Sequence, residues 1–138
     1  MISVRKQEVV KLEDVLHLYQ AVGWTNYTHQ PQMLEQALSH SLAIYMALDG
    51  DAVVDLVRLV GDGFSSVFIQ DLIVLPCYQR QGIGSDLMKE ALGDSKDAYQ
   101  IQLVTEQTEK TLRFYRSLGF ETLSTFDCTG MIWLDRKK

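Results

Sequence analysis

Two glycines at the start of an apolar helical pattern are the features of this sequence that point most directly to chemistry. Residues 72–85 read LIVLPCYQRQGIGS, so a strand-like run leads into a loop, and Gly82 and Gly84 open the following helix. The first backbone N–H groups of a helix have no intrahelical partner and lie at the positive end of its dipole, so they favour an anion. Glycine lets the backbone approach a bulky diphosphate closely, and Arg80 adds a fixed positive charge. The loop therefore predicts a phosphate or diphosphate site.

Three kinds of phosphate-binding loop compete for this segment. A Walker A loop requires Gly-Lys-Ser/Thr, whereas Gly84 is followed directly by Ser85. A dinucleotide-binding turn requires a third glycine or alanine where Leu87 stands, and the preceding strands read as hairpins rather than as a βαβ unit. The third pattern, Gln/Arg-x-x-Gly-x-Gly/Ala, is satisfied by Gln79, Gly82 and Gly84. A glycine-rich turn at the start of an ordinary helix also fits so short a pattern.

A second stretch decides between these interpretations. Residues 111–120 read TLRFYRSLGF and end in a Tyr-x-x-x-Gly-Phe pattern. The two stretches together, with the order of elements around them, resemble the GCN5-related N-acetyltransferase (GNAT) family. The resemblance covers essentially the whole chain and is most specific over residues 72–85 and 112–120. It implies an enzyme that transfers the acetyl group of acetyl-CoA to a primary amine of a small molecule, peptide or protein. The implied reaction is direct attack in a ternary complex, without a covalent enzyme intermediate.

The resemblance also implies roles for the residues of the first stretch. In the family the fourth and fifth strands splay apart, and the pantetheine arm lies in the gap, hydrogen-bonded like an extra strand. The matching backbone positions here are Leu72, Ile73 and Val74. The diphosphate contacts are expected from Arg80, Gln81, Gly82, Ile83, Gly84 and Ser85.

The resemblance places a general acid at Tyr115, the tyrosine that is often positioned to protonate the departing CoA thiolate. A phenol with a pKa of about 10 keeps its proton at neutral pH and can deliver it to a thiolate of comparable basicity. Core packing is the other interpretation, since Tyr115 shares a helical face with Leu112 and Leu118.

The general base is less well marked by the sequence. An amine with a pKa near 10 arrives protonated and loses its proton to a carboxylate or a water chain. Glu106 follows the predicted fifth strand near the expected cleft. Asp71 lies on the fourth strand at alternate positions with Ile69 and Ile73, so we expect it to face the same side as these apolar residues and to be partly buried. Either carboxylate is a candidate base, and either also fits an ordinary structural or surface role.

Acceptor choice in this family comes largely from the segment between the first two helices, here residues 23–31. Trp24 and Tyr27 in that loop are candidates for the wall of a pocket for an apolar or aromatic amine, or for a cation–π contact. The same two rings are also suited to pinning the helices to the sheet. The loop resembles small bacterial and plastid members of the family, some of which acetylate arylalkylamines.

The apolar periodicity predicts the elements that hold these residues. The predicted elements follow the order β-α-α-β-β-β-α-β-α-β-β. This order indicates an α/β (α+β) fold with a mixed, mostly antiparallel central sheet flanked by helices. Helices are predicted from residue 12 to Gly23, from Pro31, from Gly82 to Asp94 and over residues 109–118. Strands are predicted over residues 2–7, 42–48, 52–60, 67–74, 101–104, 122–126 and 131–134. Apolar side chains alternate along the first two, and Asp49-Gly50 is a hairpin signal between the second and the third.

Composition narrows the classes of protein to which the chain can belong. At 138 residues it suits one domain, predicted over residues 1–138, and the absence of a long apolar run or leader-like start predicts a cytoplasmic protein without a membrane partner. A net charge of −5 without a basic stripe argues against a nucleic-acid partner. Cys77 and Cys128 form no disulfide framework, and the isolated histidines predict no metal site. The last two predicted strands suit pairing across a two-fold axis, so a homodimer is a further expectation.

One alternative from another functional class fits the same patterns. A non-catalytic module that binds or senses acyl-CoA would keep the glycine loop and the fold but transfer nothing to an amine. Acetyl-CoA-dependent thiol release with an amine acceptor distinguishes the two.

Overall fold

A computed structural model describes residues 1–135 and divides the chain into two compact units, Met1–Leu103 and the segment from Val104 onward. The first unit contains β1 (Ile2–Gln7), α1 (Leu12–Ala21), α2 (Thr25–Thr28), α3 (Pro31–Ser39), β2 (Ala43–Asp49), β3 (Ala52–Gly61), β4 (Ser66–Val74), α4 (Ile83–Asp94) and β5 (Gln100–Leu103). A 3₁₀ turn, Pro76–Tyr78, precedes α4. The second unit contains α5 (Glu109–Ser117) and a 3₁₀ turn, Leu123–Phe126.

The five strands form one sheet in the order β1-β2-β3-β4-β5. The first three pairings are antiparallel and β4 pairs with β5 in parallel, as expected when a helix crosses over between them. The predicted mixed, mostly antiparallel sheet is therefore confirmed. Pairing of β5 with β4 runs only from Ser66↔Gln100 to Ile69↔Leu103. The rest of β4, residues 70–74, continues along β3 without a β5 partner, which leaves one edge of its backbone open.

Helices pack on both faces of the sheet. One face of the sheet is covered by α1, α2 and α3, which bury an apolar cluster against β2, β3 and β4. The cluster includes Leu18, Leu34 and Leu56. Along β2, Ile44 and Met46 face this cluster, whereas Tyr45 between them donates a hydrogen bond of 2.7 Å to Asp94 Oδ2 of α4. Because side chains alternate along a strand, α4 lies on the opposite face. It buries Ile83, Leu87, Met88 and Ala91.

The chain after α5 corrects part of the sequence prediction. Strands were expected over residues 122–126 and 131–134, but the first is a 3₁₀ turn and the second has no regular structure. Local bonds take the backbone groups that a strand would use: Cys128 N–H donates to Leu123 O at 3.0 Å, and Asp127 adopts φ +58°. Serine and threonine hydroxyls within the turn, such as those of Thr122 and Ser124, also bond to one another, which favours a turn over a ladder.

No helix within residues 1–135 has the length and hydropathy needed to cross a bilayer. The expectation that the whole chain forms one domain stays a prediction.

Candidate functional site

The loop between β4 and α4 presents unpaired backbone amides. Gly82 precedes the first residue of α4 at φ +79°, a left-handed conformation that glycine adopts without strain, and no side chain caps the helix. Asp86 N–H donates to Gly82 O at 3.0 Å and so makes the first helical bond. The N–H groups of Ile83, Gly84 and Ser85 precede that bond and have no carbonyl partner in the helix. They lie at the positive end of the α4 dipole, where a bound anion is stabilised.

Arg80 adds a second positive-φ residue to the same loop. At φ +65° it is one of two non-glycine residues with positive φ among those described, and this conformation is strained for a side chain with a Cβ atom. Neighbouring glutamines hold the turn: Gln79 Nε2 donates to Val74 O at 3.3 Å and Gln81 Nε2 donates to Cys77 O at 3.2 Å. The exposed guanidinium of Arg80 has no bonding partner within residues 1–135 and is available to a ligand.

Tyr78 anchors this loop to the β2–β3 hairpin, which the sequence did not reveal. Its hydroxyl donates to Asp49 Oδ2 at 2.7 Å. That hydrogen bond lowers the pKa of Asp49 and raises the pKa of Tyr78. The sequence signal was weak, because the two residues are separated by 29 positions and neither belongs to the glycine pattern.

The backbone predicted to receive the pantetheine arm lies on the open part of β4. Leu72, Ile73 and Val74 pair with β3 on one side and have no β5 partner on the other. Ile73 points into the core, whereas Leu72 and Val74 are half-buried. These three residues lead directly into the loop, so the structure brings the two predicted cofactor-binding segments together.

Asp71, within the part of β4 that has no β5 partner, is at the centre of a buried polar network. It is 2% exposed, and Arg58 on β3, 4% exposed, donates from Nε to Asp71 Oδ2 at 2.7 Å. Tyr19 donates its hydroxyl to Oδ2 at 2.9 Å and Tyr27 donates to Oδ1 at 3.0 Å. The alternation in the sequence therefore placed Asp71 on the buried side correctly, but it did not identify Arg58, Tyr19 or Tyr27 as its partners.

The pKa values of the side chains in this network are shifted by burial and by the Arg58–Asp71 ion pair. Burial lowers the pKa of the Arg58 guanidinium, but Asp71 and the two phenols raise it by more, so the group stays charged. Burial, and then the nearby Asp71 carboxylate, raise the pKa of both Tyr19 and Tyr27. Both phenols therefore keep their protons and act as hydrogen-bond donors to the carboxylate.

The loop over residues 23–31, which we name the acceptor loop after its predicted role, contains a short helix that the sequence did not predict. Within α2, Tyr27 is buried and its ring packs edge-on to Tyr19 with 5.1 Å between centroids. Trp24, directly before α2, is half-buried and lies 6.1 Å from Tyr19 and 6.2 Å from Tyr27. Tyr27 thus pins the loop to the sheet, and Trp24 keeps part of its ring at the surface.

A second buried carboxylate, Asp55 of β3, stands apart from this network. It is 0% exposed, and neither carboxylate oxygen has a hydrogen-bond partner among the described residues. Asp55 lies opposite Ala47 and Val74 in the sheet, on the face covered by α4. Burial raises the pKa of Asp55 to about 8.

The second unit holds the remaining predicted residues. Tyr115 of α5 is half-buried beside Phe114 and Phe120, whose ring centroids lie 5.0 and 5.9 Å from its own. Burial raises the pKa of Tyr115, and an interaction with the Thr105 side chain offsets part of the rise. Glu106 is exposed in the irregular segment before α5.

Comparison with known proteins decides the family. A model described as the acetyltransferase (GNAT) domain matches residues 40–122, which is more than half of the chain. This chain belongs to the GNAT acetyltransferase family. A GNAT family acetyltransferase from Streptococcus pneumoniae TIGR4 is 77% identical, with a TM-score of 0.92 and 99% of each chain covered. A GNAT acetyltransferase from Elizabethkingia anophelis, solved with acetyl-CoA bound, shares the fold at 20% identity and a TM-score of 0.64, over 87% of this chain and 76% of that one.

Two curated proteins named as N-acetyltransferases match at lower identity. An uncharacterized N-acetyltransferase from Prochlorococcus marinus is 28% identical over 86% of this chain and 65% of its own length. Serotonin N-acetyltransferase 2 from the chloroplast of Oryza sativa subsp. japonica is 26% identical over 66% of this chain and 48% of its own. This chain thus spans between about half and two thirds of the length of these relatives.

GNAT acetyltransferases use acetyl-CoA and act on amine acceptors, and the glycine loop of this member has the open amides that such a ligand needs. Across residues 1–135, no three His, Cys, Asp or Glu side chains are placed to hold a metal ion together.

Proposed function

We propose that this protein is an N-acetyltransferase that moves the acetyl group of acetyl-CoA to a primary amine by direct attack in a ternary complex. The observation that carries the proposal is the continuity of two binding features in the first unit. The open edge of β4, at Leu72, Ile73 and Val74, runs through a single loop into the uncapped start of α4.

These two features suit the two halves of the acetyl-CoA molecule. The pantetheine arm carries amides that can pair with an open strand edge, as in β-strand addition. Its diphosphate requires N–H donors and positive charge, which are supplied by Arg80, Gln81, Gly82, Ile83, Gly84 and Ser85. The left-handed conformation of Gly82 and the open space beside its Cα atom suit close approach of a diphosphate.

The proposed reaction needs one group to donate a proton and one to accept it. The amine nitrogen attacks the acetyl carbonyl carbon, the carbon–sulfur bond breaks, and the CoA thiolate takes a proton from Tyr115. Glu106 accepts the proton lost by the amine. We favour Glu106 over Asp71 as the base because the Asp71 oxygens already accept from Arg58, Tyr19 and Tyr27.

For the acceptor, we favour an amine with an aromatic or apolar body. Trp24 presents part of its ring at the surface beside the buried Tyr27, which offers an apolar or cation–π contact. A net charge of −5 also favours approach of a cationic amine. Arylalkylamines such as tryptamine meet both requirements, and a relative named for serotonin acetylation makes this class the first to test.

Substituting valine for Gly82 is expected to weaken acetyl-CoA binding by at least about tenfold. A β-branched residue is strongly disfavoured at φ +79°, so the turn must rearrange and displace the amides that face the diphosphate. Gly23→Val is the matched control, because Gly23 has a similar φ of +71° and equally open surroundings but lies outside the loop between β4 and α4. Isothermal titration with acetyl-CoA measures both variants, and an equal loss in the two would contradict the assignment.

Acetyl-CoA-dependent release of free thiol tests the proposed function directly. The amine panel contains tryptamine, phenethylamine, polyamines, amino acids and short peptides, each beside a control without amine. Release above the control with one class establishes the enzyme and its acceptor. If no amine of the panel gives thiol release above the control, and titration shows that the protein binds acetyl-CoA, the result would instead support an acyl-CoA-sensing module.

A further inference from the structure

One buried group connects the two proposed substrate sites. Asp71 directly precedes the open β4 segment proposed to hold the pantetheine arm, and its Oδ1 accepts a hydrogen bond from Tyr27 in the acceptor loop. We propose that the Arg58–Asp71 ion pair is a positioning centre that, through the Tyr27 hydroxyl, fixes α2 and Trp24 relative to β4. This inference rests on the proposed function only where it predicts acceptor kinetics.

The ion pair is built as a rigid anchor. Arg58 donates from Nε to Asp71, from Nη2 to the Tyr27 hydroxyl at 3.2 Å and from Nη1 to Ser41 Oγ at 3.2 Å. These bonds reach β4, α2 and the segment between α3 and β2, so the guanidinium has little freedom to move. The register of β3 on β4 shifts between Arg58 and Leu59, and such bulges commonly aim a side chain at a functional site. A buried pair that is satisfied in this way specifies geometry more than it adds stability.

The acceptor loop depends on this anchor because α2 cannot hold itself in place. A helix of four residues falls far below the length that is stable alone, and no side chain caps the start of α2. The Tyr27 hydroxyl, which donates to Asp71 and accepts from Arg58, is its polar tether to the sheet. Gln70 Nε2 adds a longer contact of 3.4 Å to the same hydroxyl.

Tyr19 provides a natural comparison within the same network. Its hydroxyl also donates to Asp71, at 2.9 Å, and its ring also touches Trp24. However, Tyr19 belongs to α1, a helix of ten residues held by the buried Val15 and Leu18. Loss of the Tyr19 hydroxyl therefore removes a similar hydrogen bond without releasing the acceptor loop.

Two single-atom deletions test the proposal by kinetics. Tyr27→Phe is expected to raise the KM for tryptamine about tenfold while the Kd for acetyl-CoA stays within about twofold, because the bond that is lost holds the acceptor side. Tyr19→Phe is expected to lower the melting temperature about as much as Tyr27→Phe does, because each removes one buried hydrogen bond to Asp71. It is expected to leave the tryptamine KM within about twofold. Equal changes in KM for the two variants, or none for Tyr27→Phe, would overturn the positioning role.

Quenching of Trp24 fluorescence tests the same inference without turnover. In a Trp133→Phe background Trp24 is the sole tryptophan. Adding Tyr27→Phe is expected to raise its acrylamide quenching constant at least about twofold, whereas adding Tyr19→Phe leaves that constant unchanged. The same quenching in both variants, or no rise with Tyr27→Phe, refutes the inference. If wild-type protein acetylates no amine, the proposed function fails and the quenching result still decides the positioning role.

Discussion

Replacing Tyr115 with phenylalanine is expected to lower kcat by about 10²-fold or more and to leave acetyl-CoA affinity within about twofold. The substitution keeps the ring that packs against Phe114 and Phe120 and removes only the hydroxyl. A CoA thiolate that must leave without a proton donor raises the barrier to collapse of the tetrahedral intermediate. Binding of the diphosphate and arm, proposed to lie in the first unit, does not involve that hydroxyl.

The pH dependence of turnover provides a second readout for Tyr115. Burial raises the pKa of the phenol above its ordinary value of 10.0, so it holds its proton throughout the range from about pH 6 to 9. Wild-type kcat is therefore expected to show no loss of a general acid in that range. Activity should rise with pH only as the amine and its base lose their protons.

Tyr99→Phe is the matched control for the Tyr115 variant. Tyr99 is 82% exposed and has no role in either proposed substrate site. Single-turnover thiol release with tryptamine, followed for wild type and both variants, isolates the chemical step. An unchanged rate for Tyr115→Phe, or an equal loss for Tyr99→Phe, would contradict the general-acid role.

Replacing Asp55 with valine is expected to stabilise the protein by several kcal/mol at pH 8 and much less at pH 4. Both Asp55 oxygens are buried on the α4 face without a partner, so the folded state must either keep the carboxyl protonated or bury a bare charge. Valine has a high strand propensity and carries neither cost.

The direction of the pH effect follows from the proton count. The pKa of Asp55 is about 8 in the folded protein, against an ordinary 3.8 in the unfolded chain. Between these values the folded state holds a proton that the unfolded state has released, so the free energy of unfolding falls by about 1.4 kcal/mol per pH unit from this group. Above the folded pKa both states are ionised and the penalty stays constant.

Asp55→Asn separates the effect of charge from that of burial. Asparagine does not titrate, so this variant is expected to lose the same pH dependence as Asp55→Val, but it keeps two buried polar groups and gains less stability at pH 8. Urea unfolding of the three proteins at several pH values between 4 and 9 measures the free energies. A wild-type pH profile parallel to those of both variants would contradict a buried, protonated Asp55.

The local signals in the sequence predicted most of the first unit. Alternation along residues 2–7 and 42–48 predicted the first two strands, and the Asp49-Gly50 turn predicted the hairpin that leads into the third. Gly50 adopts φ +62° in that turn. The change to helical spacing at Gly82 gave α4 and its free amides. These features depend on neighbours within a few residues, which is the information that a single sequence carries.

Features that depend on distant residues were not predicted. The partners of Asp71 come from positions 13 to 52 residues away, and nothing in local spacing links Arg58, Tyr19 and Tyr27 to one carboxylate. The prediction of two strands after α5 was wrong for the same reason. Residues 122–126 have strand-like side chains, but a strand also needs a partner for its backbone, and the turn bonds around Leu123 are local and sufficient.

The anchoring of the loop before α4 determines which step of ligand binding is sensitive to its sequence. Tyr78, Gln79 and Gln81 hold the turn through bonds to Asp49, Val74 and Cys77, all of which are partners within the chain, so folding contributes to its order. A preorganised loop associates with its ligand without a slow conformational step. Substitutions that loosen these three bonds should therefore slow the association of acetyl-CoA, because the loop must then become ordered as the ligand binds.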